Sequence, residues 1–366
     1  MLLLSPFTIF AERKAMYKWD RHIIREEATL TEALRKLNDL SGKAMVLFAV
    51  DNANRMTGTI TDGDIRRSLI AGTGLNSTVG ETMHRAFRFL EEGNIDLMKV
   101  REMRRNKITL VPVIGKDGSI KAVYNFEECH SILPLDAVMM AGGKGERLRP
   151  LTLDTPKPLM KVGEKSIIDY NVEELARNGI DNIAVTTNYL AEQIERHFET
   201  PVGGVKVRCI REPKKLGTIG SAKLVGGLTN DNIIVMNSDI LTTINYEELF
   251  IFHAEQDADM TIAAVPYMVS VPFAILHSDN FRVTGLEEKP TYNYYANAGI
   301  YIIKRRLLEL IPDDTVFDAT DLIESIINDG GKVVYHPIDG IWLDIGSPDD
   351  FRHAQEIVRN KRLSNL

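Results

Sequence analysis

The chain has 366 residues, of which 44% are hydrophobic and 26% charged, and its formal net charge is −7. This length predicts two soluble globular domains. The acidic balance excludes a general nucleic-acid binder, which presents a basic surface. Two cysteines, Cys129 and Cys209, are too few for a disulfide framework, so a reducing, cytoplasmic compartment is expected. No apolar run approaches the ~20 residues that cross a bilayer, so no membrane partner is expected.

The first segment, MLLLSPFTIF, is apolar but lacks the basic start of a signal peptide. It contains Pro6, and no small-residue cleavage site follows it. We therefore expect residues 1–20 to form a loosely ordered extension. Met16, which precedes the first patterned segment, is an alternative start of the native chain.

Residues 21–130 contain a repeated helix–strand–strand–helix pattern. In the first copy Thr29 can cap a helix that Gly42 ends, AMVLFAV and TGTI are strand-like, and TDGDIRRSLIAG is helical. In the second copy IDLMKVREMRRN is helical, ITLVPVI and SIKAVYN are strand-like, and FEECHSI is helical. This internal duplication predicts a small α+β domain pair.

Residues 135–366 have a different sequence pattern, which begins after a predicted linker over Ser131–Leu135. Strands alternate with helices: IAVTTN precedes LAEQIERHFE, and IIVMNSD precedes YEELFIFHAEQ. This alternation predicts an α/β domain whose mostly parallel sheet is covered on both faces. Ligands of such sheets bind at the carboxyl ends of the strands, so the residues that follow each strand are the candidates for a site.

The strand AVMMA runs into a glycine-rich turn over residues 142–145. Glycines there allow backbone N–H groups to approach a phosphate or a base closely, although a tight turn without a ligand is the alternative. Arg147 and Lys157 follow, and prolines on both sides of Lys157 restrain its direction. A guanidinium and an ammonium suit the phosphates of a triphosphate, whereas two solvated surface cations are the alternative.

Two acidic residues occupy positions suited to a cation. Asp239 directly follows the strand IIVMN, and Asp344 lies in the otherwise apolar segment WLDIG. Together they could share an octahedral Mg²⁺ ion with substrate phosphates and water, although each alone could cap the next element. The segments EEKP, with Glu288 and Lys289, and NAG, with Asn297, add charged and polar groups between them.

Seven segments resemble, in their order and spacing, the motifs of the sugar-1-phosphate nucleotidyltransferases. They are AGGKGERLRPLT, TPKPLMKV, LGTIGSA, NSDI, EEKP, NAGIYI and WLDIGSPDDF. The resemblance covers about residues 135–360. It implies an α/β fold with a Rossmann-like, mostly parallel mixed sheet, the nucleotide-diphospho-sugar transferase fold. The expected substrates are a nucleoside triphosphate and a sugar 1-phosphate, with Mg²⁺ as cofactor.

The resemblance also implies roles for individual residues. The nucleotide-binding residues are Gly142, Gly143, Gly145 and, beside the base, Glu212, Gly217 and Thr218. The catalytic residues are Arg147, Lys157, Asp239, Lys289 and Asp344, of which Asp239 and Asp344 are the metal ligands. The sugar-binding residues are Ala274, Glu288 and Asn297. The anionic sugar phosphate attacks the α-phosphorus in line with departing pyrophosphate, so no general base is needed.

The segment REPKKLGTIG resembles the base-recognition segment of the guanylyltransferases. Glu212 could accept hydrogen bonds from guanine, or alternatively pair with Arg211 or Lys214 at the surface. GTP is therefore favoured, with UTP, dTTP or CTP as alternatives. The overall pattern is most similar to the glucosamine-1-phosphate guanylyltransferases of legionaminic acid biosynthesis. One departure leaves the sugar open: Ala274, in PFAI, stands where the family commonly has glycine.

The segment GTITDGD resembles CBS motifs, which pair to bind adenine nucleotides. The resemblance implies that Thr61 contacts phosphate and Asp64 contacts ribose, whereas Asn125 and Glu128 replace them in the second copy. One intact and one degraded site are therefore expected, and a packing module without a ligand is the alternative. A homo-oligomer is also expected. An inactive, nucleotide-sensing homologue is disfavoured because the metal carboxylates and the basic residues are present.

Overall fold

The computed structural model describes residues 18–40, 44–93 and 95–360. The chain divides between Ile132 and Leu133 into two compact units, and the short segment Arg177–Gly179 groups with the first. This division lies inside the segment that the sequence assigns to a linker. Within the described ranges, no helix combines the length and the apolar character that a membrane span requires.

The N-terminal unit contains two three-stranded sheets with the same topology. The first copy consists of β1 (Ile23–Arg25), α1 (Leu30–Asp39), β2 (Val46–Val50), β3 (Met56–Thr61), α2 (Asp62–Ile70) and α3 (Val79–Thr82). The second consists of β4 (Leu90–Glu91), α4 (Leu97–Arg105), β5 (Leu110–Ile114) and β6 (Ile120–Asn125). In each copy the first strand pairs in parallel with the second, which pairs antiparallel with the third.

Each copy has its own apolar cluster, and a further cluster joins the two copies. Phe48 and Met56 of the first copy cluster with Leu110 and Val123 of the second. Because each sheet buries one face against the other copy, the duplicated halves form a single packed unit.

One sequence prediction for this unit is wrong, and two others fall on residues outside the described ranges. The predicted helix FEECHSI is wrong, because a turn over residues 126–128 follows β6 instead. Asn125 donates to Glu128 at 3.0 Å and accepts from the Glu127 N–H, so a cap forms without a helix to follow it. The predicted helix end at Gly42 and residues 1–17 of the predicted extension lie outside the described residues.

The C-terminal unit alternates strands and helices. Its first part contains β7 (Leu135–Ala141), β8 (Lys161–Val162), β9 (Lys165–Ser166), α5 (Ile167–Arg177), β10 (Ile183–Thr187), α6 (Ala191–His197), β11 (Arg208–Arg211), β12 (Asn232–Asn237), β13 (Ile240–Thr242) and α7 (Tyr246–Glu255). Its second part contains β14 (Met260–Ser270), β15 (Ile275–Asp279), β16 (Arg282–Glu287), β17 (Thr291–Lys304), α8 (Ala319–Asn328), β18 (Val333–Pro337), β19 (Trp342–Asp344) and α9 (Pro348–Arg359).

A seven-stranded mixed sheet organises this unit, in the order β11-β10-β7-β12-β17-β14-β18. The strands β11, β10, β7 and β12 are parallel to one another, whereas β17 is antiparallel to both of its neighbours. The α/β prediction with a mostly parallel mixed sheet is confirmed. Because the chain continues from β7 to β10 on one side and later to β12 on the other, the crevice at the carboxyl end of β7 is the expected ligand site.

One part of the unit projects beyond the sheet. The pairing of β14 with β18 ends at Ala264, whereas its pairing with β17 continues to Ser270 and Thr291. We call residues 265–296, which include the β15–β16 hairpin, the outer ribbon. Its large apolar side chains face solvent, as shown by exposures of 60% at Tyr267 and 71% at Met268.

Candidate active site

Two glycines of the loop after β7 have neighbours so close that a side chain would not fit without a shift. A Cβ on Gly142 would lie 2.6 Å from Glu212 Oε1, and one on Gly145 would lie 3.2 Å from Lys157 Cβ. Gly145 also has a φ of +60°, which residues with side chains rarely adopt. These glycines therefore bring the loop backbone close to one acidic and one basic side chain. A Cβ on Gly143, in contrast, would meet no other atom within 4 Å.

Asp239 and Asp344 are brought together by a short antiparallel ladder. Strands β13 and β19 pair Ile240 with Asp344, and the Ile345 N–H donates to the Asp239 carbonyl at 3.2 Å. On the other side the Ser238 hydroxyl donates to the Met140 carbonyl at 2.7 Å, which ties the end of β12 to β7. Two carboxylates distant in sequence thereby converge at the carboxyl edge of the sheet.

Lys157 lies between these two carboxylates. Its ammonium donates to the Asp239 carboxylate and lies 3.5 Å from Asp344 Oδ1, and the whole residue is only 7% exposed. The alternative of a solvated surface cation is therefore wrong for Lys157. Burial and then the neighbouring Asp239 charge raise the pKa of Asp344, while Lys157 and Arg147 oppose this shift.

Arg147 lies on the same edge, although it is exposed. A Cβ on Gly346 would approach its guanidinium to 2.9 Å, so Arg147 lies flat against the backbone that follows Asp344. Gly346 leaves room for this approach, and the sequence interpretation did not assign it a role. The only signal was its place directly after the WLDI segment.

One apolar cluster supports all four charged residues. Leu148, Met160, Leu241 and Ile345 pack together beneath the site, each within three residues of Arg147, Lys157, Asp239 or Asp344. Because close packing resists displacement, this cluster fixes the backbone from which the charges project.

The predicted base-recognition segment is folded against the start of α8. Glu212 is buried, and this burial raises the pKa of its carboxyl group, while the neighbouring Leu216 N–H, Ser221 and Thr186 oppose the rise. The surface-pair alternative is wrong, because Arg211 pairs with Glu192 and Glu195 and Lys214 pairs with Asp314.

Gly217 and Thr218 make the contact with α8. A Cβ on Gly217 would lie 2.5 Å from the Phe317 carbonyl oxygen, so no side chain fits there. The Thr218 N–H donates to Asp318 Oδ1 at 2.7 Å, and its hydroxyl accepts from the Ala319 N–H at 2.9 Å. Thr218 is therefore engaged in capping α8.

The predicted sugar-binding residues lie on β17 and the outer ribbon. Asn297 donates to the Tyr301 hydroxyl at 2.8 Å and accepts from the Gly299 N–H, and Trp342 Nε1 donates to the Ala298 carbonyl at 2.9 Å. Asn297 thereby belongs to the same edge as Asp344. Ala274 is half-buried on the outer ribbon, whereas Glu288 and Lys289 are exposed there, and Lys289 has a left-handed φ of +45°.

The sequence interpretation missed Asn171. This residue of α5 is 3% exposed, and its side-chain amide donates to the Ile240 carbonyl at 2.8 Å. It therefore holds the turn that carries Asp239. The signal was a polar side chain on the otherwise apolar stripe of α5, four residues after Ile167 and four before Leu175.

In the N-terminal unit Thr61 and Asp64 form a capping box. The Thr61 N–H and hydroxyl both contact the Asp64 carboxylate, at 2.8 and 2.6 Å, and the Asp64 N–H donates back to the hydroxyl. Arg67 binds the other Asp64 oxygen at 2.5 Å. This arrangement stabilises the start of α2 and accounts for the motif without a ligand.

Comparison with known proteins follows the same division of the chain. Residues 136–361 match the nucleotidyl transferase family, and residues 19–71 match the CBS domain. The chain belongs to the nucleotidyl transferase family. The predicted family is thereby confirmed, and the first N-terminal copy is a CBS domain.

Several relatives are similar over the C-terminal unit. A mannose-1-phosphate guanylyltransferase of Mycobacterium tuberculosis is 32% identical over 235 residues, 62% of this chain and 65% of the relative. A D-glycero-alpha-D-manno-heptose 1-phosphate guanylyltransferase of Aneurinibacillus thermoaerophilus is 29% identical over 62% of this chain and 99% of the relative. The crystal structure of HddC from Yersinia pseudotuberculosis is 27% identical, with a TM-score of 0.49, over 61% of this chain and 99% of HddC. The chain spans just under two thirds of the length of the Mycobacterium relative.

Proposed function

We propose that the C-terminal unit transfers GMP from GTP to a sugar 1-phosphate and releases pyrophosphate. The observation that carries this proposal is the meeting of Lys157 with Asp239 and Asp344 beside the glycine loop over residues 142–145. Backbone N–H groups, a buried ammonium and two carboxylates are the groups that phosphoryl-type transfer uses. Guanylyl transfer by the relatives also supports GTP over the other triphosphates.

The two carboxylates fit a Mg²⁺ ion. Both carboxylates contact the same Lys157 ammonium, so their oxygens lie close together, and hard carboxylate oxygens are preferred Mg²⁺ ligands. Among the described residues, no group of three or more His, Cys, Asp or Glu side chains is arranged to bind a metal ion. Substrate phosphates and water would therefore complete the shell. When bound, the ion would neutralise charge that develops on the phosphates.

The chain's own residues would then act by positioning. The glycine loop would bind the phosphates through its N–H groups, and Arg147 would hold them from the outer side. Lys157 would bind the α-phosphate and keep it in line with the incoming oxygen. The sugar phosphate oxygen would form the new bond to the α-phosphorus while the bond to pyrophosphate breaks. Since that oxygen is already anionic, no side chain need remove a proton.

The sugar substrate is proposed from the segment between β14 and β17. Lys289 would bind the sugar phosphate, and Glu288 and Asn297 would contact the sugar hydroxyls, with Ala274 limiting the room beside one of them. Glucosamine 1-phosphate is our first candidate, because the sequence pattern resembles enzymes for that substrate. The names of the relatives add mannose 1-phosphate and a heptose 1-phosphate as competitors.

A matrix of four triphosphates against these three sugar 1-phosphates tests the proposal, with pyrophosphate release as the readout. We expect GTP to give the highest kcat/KM and omission of Mg²⁺ to abolish release. A higher kcat/KM with UTP, dTTP or CTP would reject the guanylyl assignment alone. Absence of pyrophosphate release from every pair would reject the transferase and leave the inactive, nucleotide-sensing homologue.

We also propose that the CBS copy containing Thr61 and Asp64 binds an adenine nucleotide. The CBS match supports this proposal. Asp64 is already bonded to Thr61 and Arg67, so the nucleotide would have to use the exposed side of this capping box. Calorimetric titration of the full chain with AMP, ADP and ATP tests it. Heat that disappears in Asp64→Asn supports this site, and the absence of binding rejects it.

A further inference from the structure

Lys157 is the resident counterion of the two carboxylates that we assign to the metal. Its side chain is only 9% exposed, donates to Asp239 and lies 3.5 Å from Asp344 Oδ1. A divalent cation that bound the same oxygens would meet this ammonium at contact distance. Like charges so close in a half-buried site repel strongly, so the ammonium and the metal compete for these carboxylates.

The glycine loop offers the ammonium a second place. Lys157 Cβ lies 3.2 Å from the position of a Cβ on Gly145, so the lysine stem runs directly beside the loop that we assign to the phosphates. The backbone of Lys157 is held by Pro156 and Pro158 in a short 3₁₀ turn, whereas its four-carbon stem contains rotatable bonds. The ammonium can therefore move from carboxylate to phosphate without a change in the backbone.

We propose that Lys157 keeps the metal site charge-compensated until the triphosphate arrives. The Lys157 ammonium would then bind the phosphate oxygens of the triphosphate. Asp239 and Asp344 would thereby become available to the divalent cation. This inference rests on the proposed function, because it takes these carboxylates as metal ligands. It predicts weak metal binding by the free protein and an order of binding in which the nucleotide brings the metal.

Mn²⁺ binding to the full chain without nucleotide tests the inference, with the free Mn²⁺ signal followed by electron paramagnetic resonance. Lys157→Met keeps the length of the buried stem and removes the charge, so we expect roughly tenfold or greater tightening of Mn²⁺ binding. Lys161→Met removes an exposed lysine four residues away and should leave Mn²⁺ affinity unchanged. The double variant Lys157→Met with Asp239→Asn should lose the gain.

Equal Mn²⁺ affinity in folded Lys157→Met and in the wild type would overturn the inference and leave Lys157 as a structural anchor. If Lys157→Met fails to fold by circular dichroism, Lys157→Gln, which keeps a donor to Asp239, replaces it with the same expectation. The transferase proposal fails separately, because it is rejected only when the wild type releases no pyrophosphate from any substrate pair. If the wild type is active and Mn²⁺ affinity is unchanged in Lys157→Met and Lys157→Gln, the counterion role alone is rejected.

Discussion

The C-terminal unit contains two kinds of candidate site. At the inner corner Lys157, Asp239 and Asp344 are tied to one another, and a single apolar cluster packs beneath them. On the outer ribbon Glu288 and Lys289 are exposed and the large apolar side chains face water. The inner corner is thus preorganised by the fold, whereas the ribbon presents its groups without such support. Preorganised charge suits a reaction centre, and a less constrained surface suits a specificity site that varies with the sugar.

Asp239→Asn gives the largest effect that this comparison predicts. The amide cannot replace a carboxylate against a divalent cation, so we expect kcat to fall roughly a thousandfold or more. Pyrophosphate release measures this change. Asp231→Asn, a fully exposed carboxylate of the same unit, is the matched control and should retain full activity. Near-normal turnover in folded Asp239→Asn would remove the inner corner from the chemistry.

Lys289→Met separates the ribbon from the corner. Since Lys289 is exposed, its loss should leave the melting temperature unchanged, but kcat/KM for the sugar 1-phosphate should fall roughly a hundredfold. The KM for GTP is the internal control and should stay constant. An equal rise in both KM values would show that Lys289 does not distinguish the sugar side from the nucleotide side.

Asn171→Ala tests the hydrogen bond that holds the Asp239 turn, rather than the charged residues of the inner corner. Without Asn171, the buried Ile240 carbonyl loses its hydrogen-bond donor. The free energy of unfolding should therefore fall by about 1–3 kcal/mol. We also expect roughly a tenfold rise in the Mg²⁺ concentration for half-maximal turnover, because Asp239 is less well positioned. Asn328→Ala, at an exposed position of α8, is the control for both measurements.

Unchanged Mg²⁺ dependence in a destabilised Asn171→Ala would assign Asn171 a purely structural role. Asn171→Asp adds a second test, because its carboxylate cannot donate to a carbonyl when ionised. Its Mg²⁺ dependence should resemble that of the alanine variant.

The sequence could predict which residues follow each strand, but not which residues distant in sequence come into contact. Asp239 and the glycine loop are recognisable because each directly follows a buried strand, and their positions relative to the sheet follow from the α/β alternation. The burial of Lys157 depends on a partner 82 residues away and on the pairing of β13 with β19, which no local pattern encodes. The helix predicted after β6 is wrong for a local reason, because the Asn125–Glu128 hydrogen bond closes a turn over residues 126–128 that no helix follows.

Ala274→Gly gives the smallest expected effect and addresses the ribbon alone. Removing one methyl group from a half-buried position changes the room beside the sugar, and a single methyl in a binding pocket is worth about tenfold in selectivity. We therefore expect the ratio of kcat/KM between glucosamine 1-phosphate and mannose 1-phosphate to change by up to about tenfold, with kcat for the better substrate nearly constant. The KM for GTP should not move, because Ala274 lies on the outer ribbon and the nucleotide is assigned to the inner corner. A change in the KM for GTP without a change in the sugar ratio would place Ala274 outside the sugar site and would make the ribbon a support of the corner.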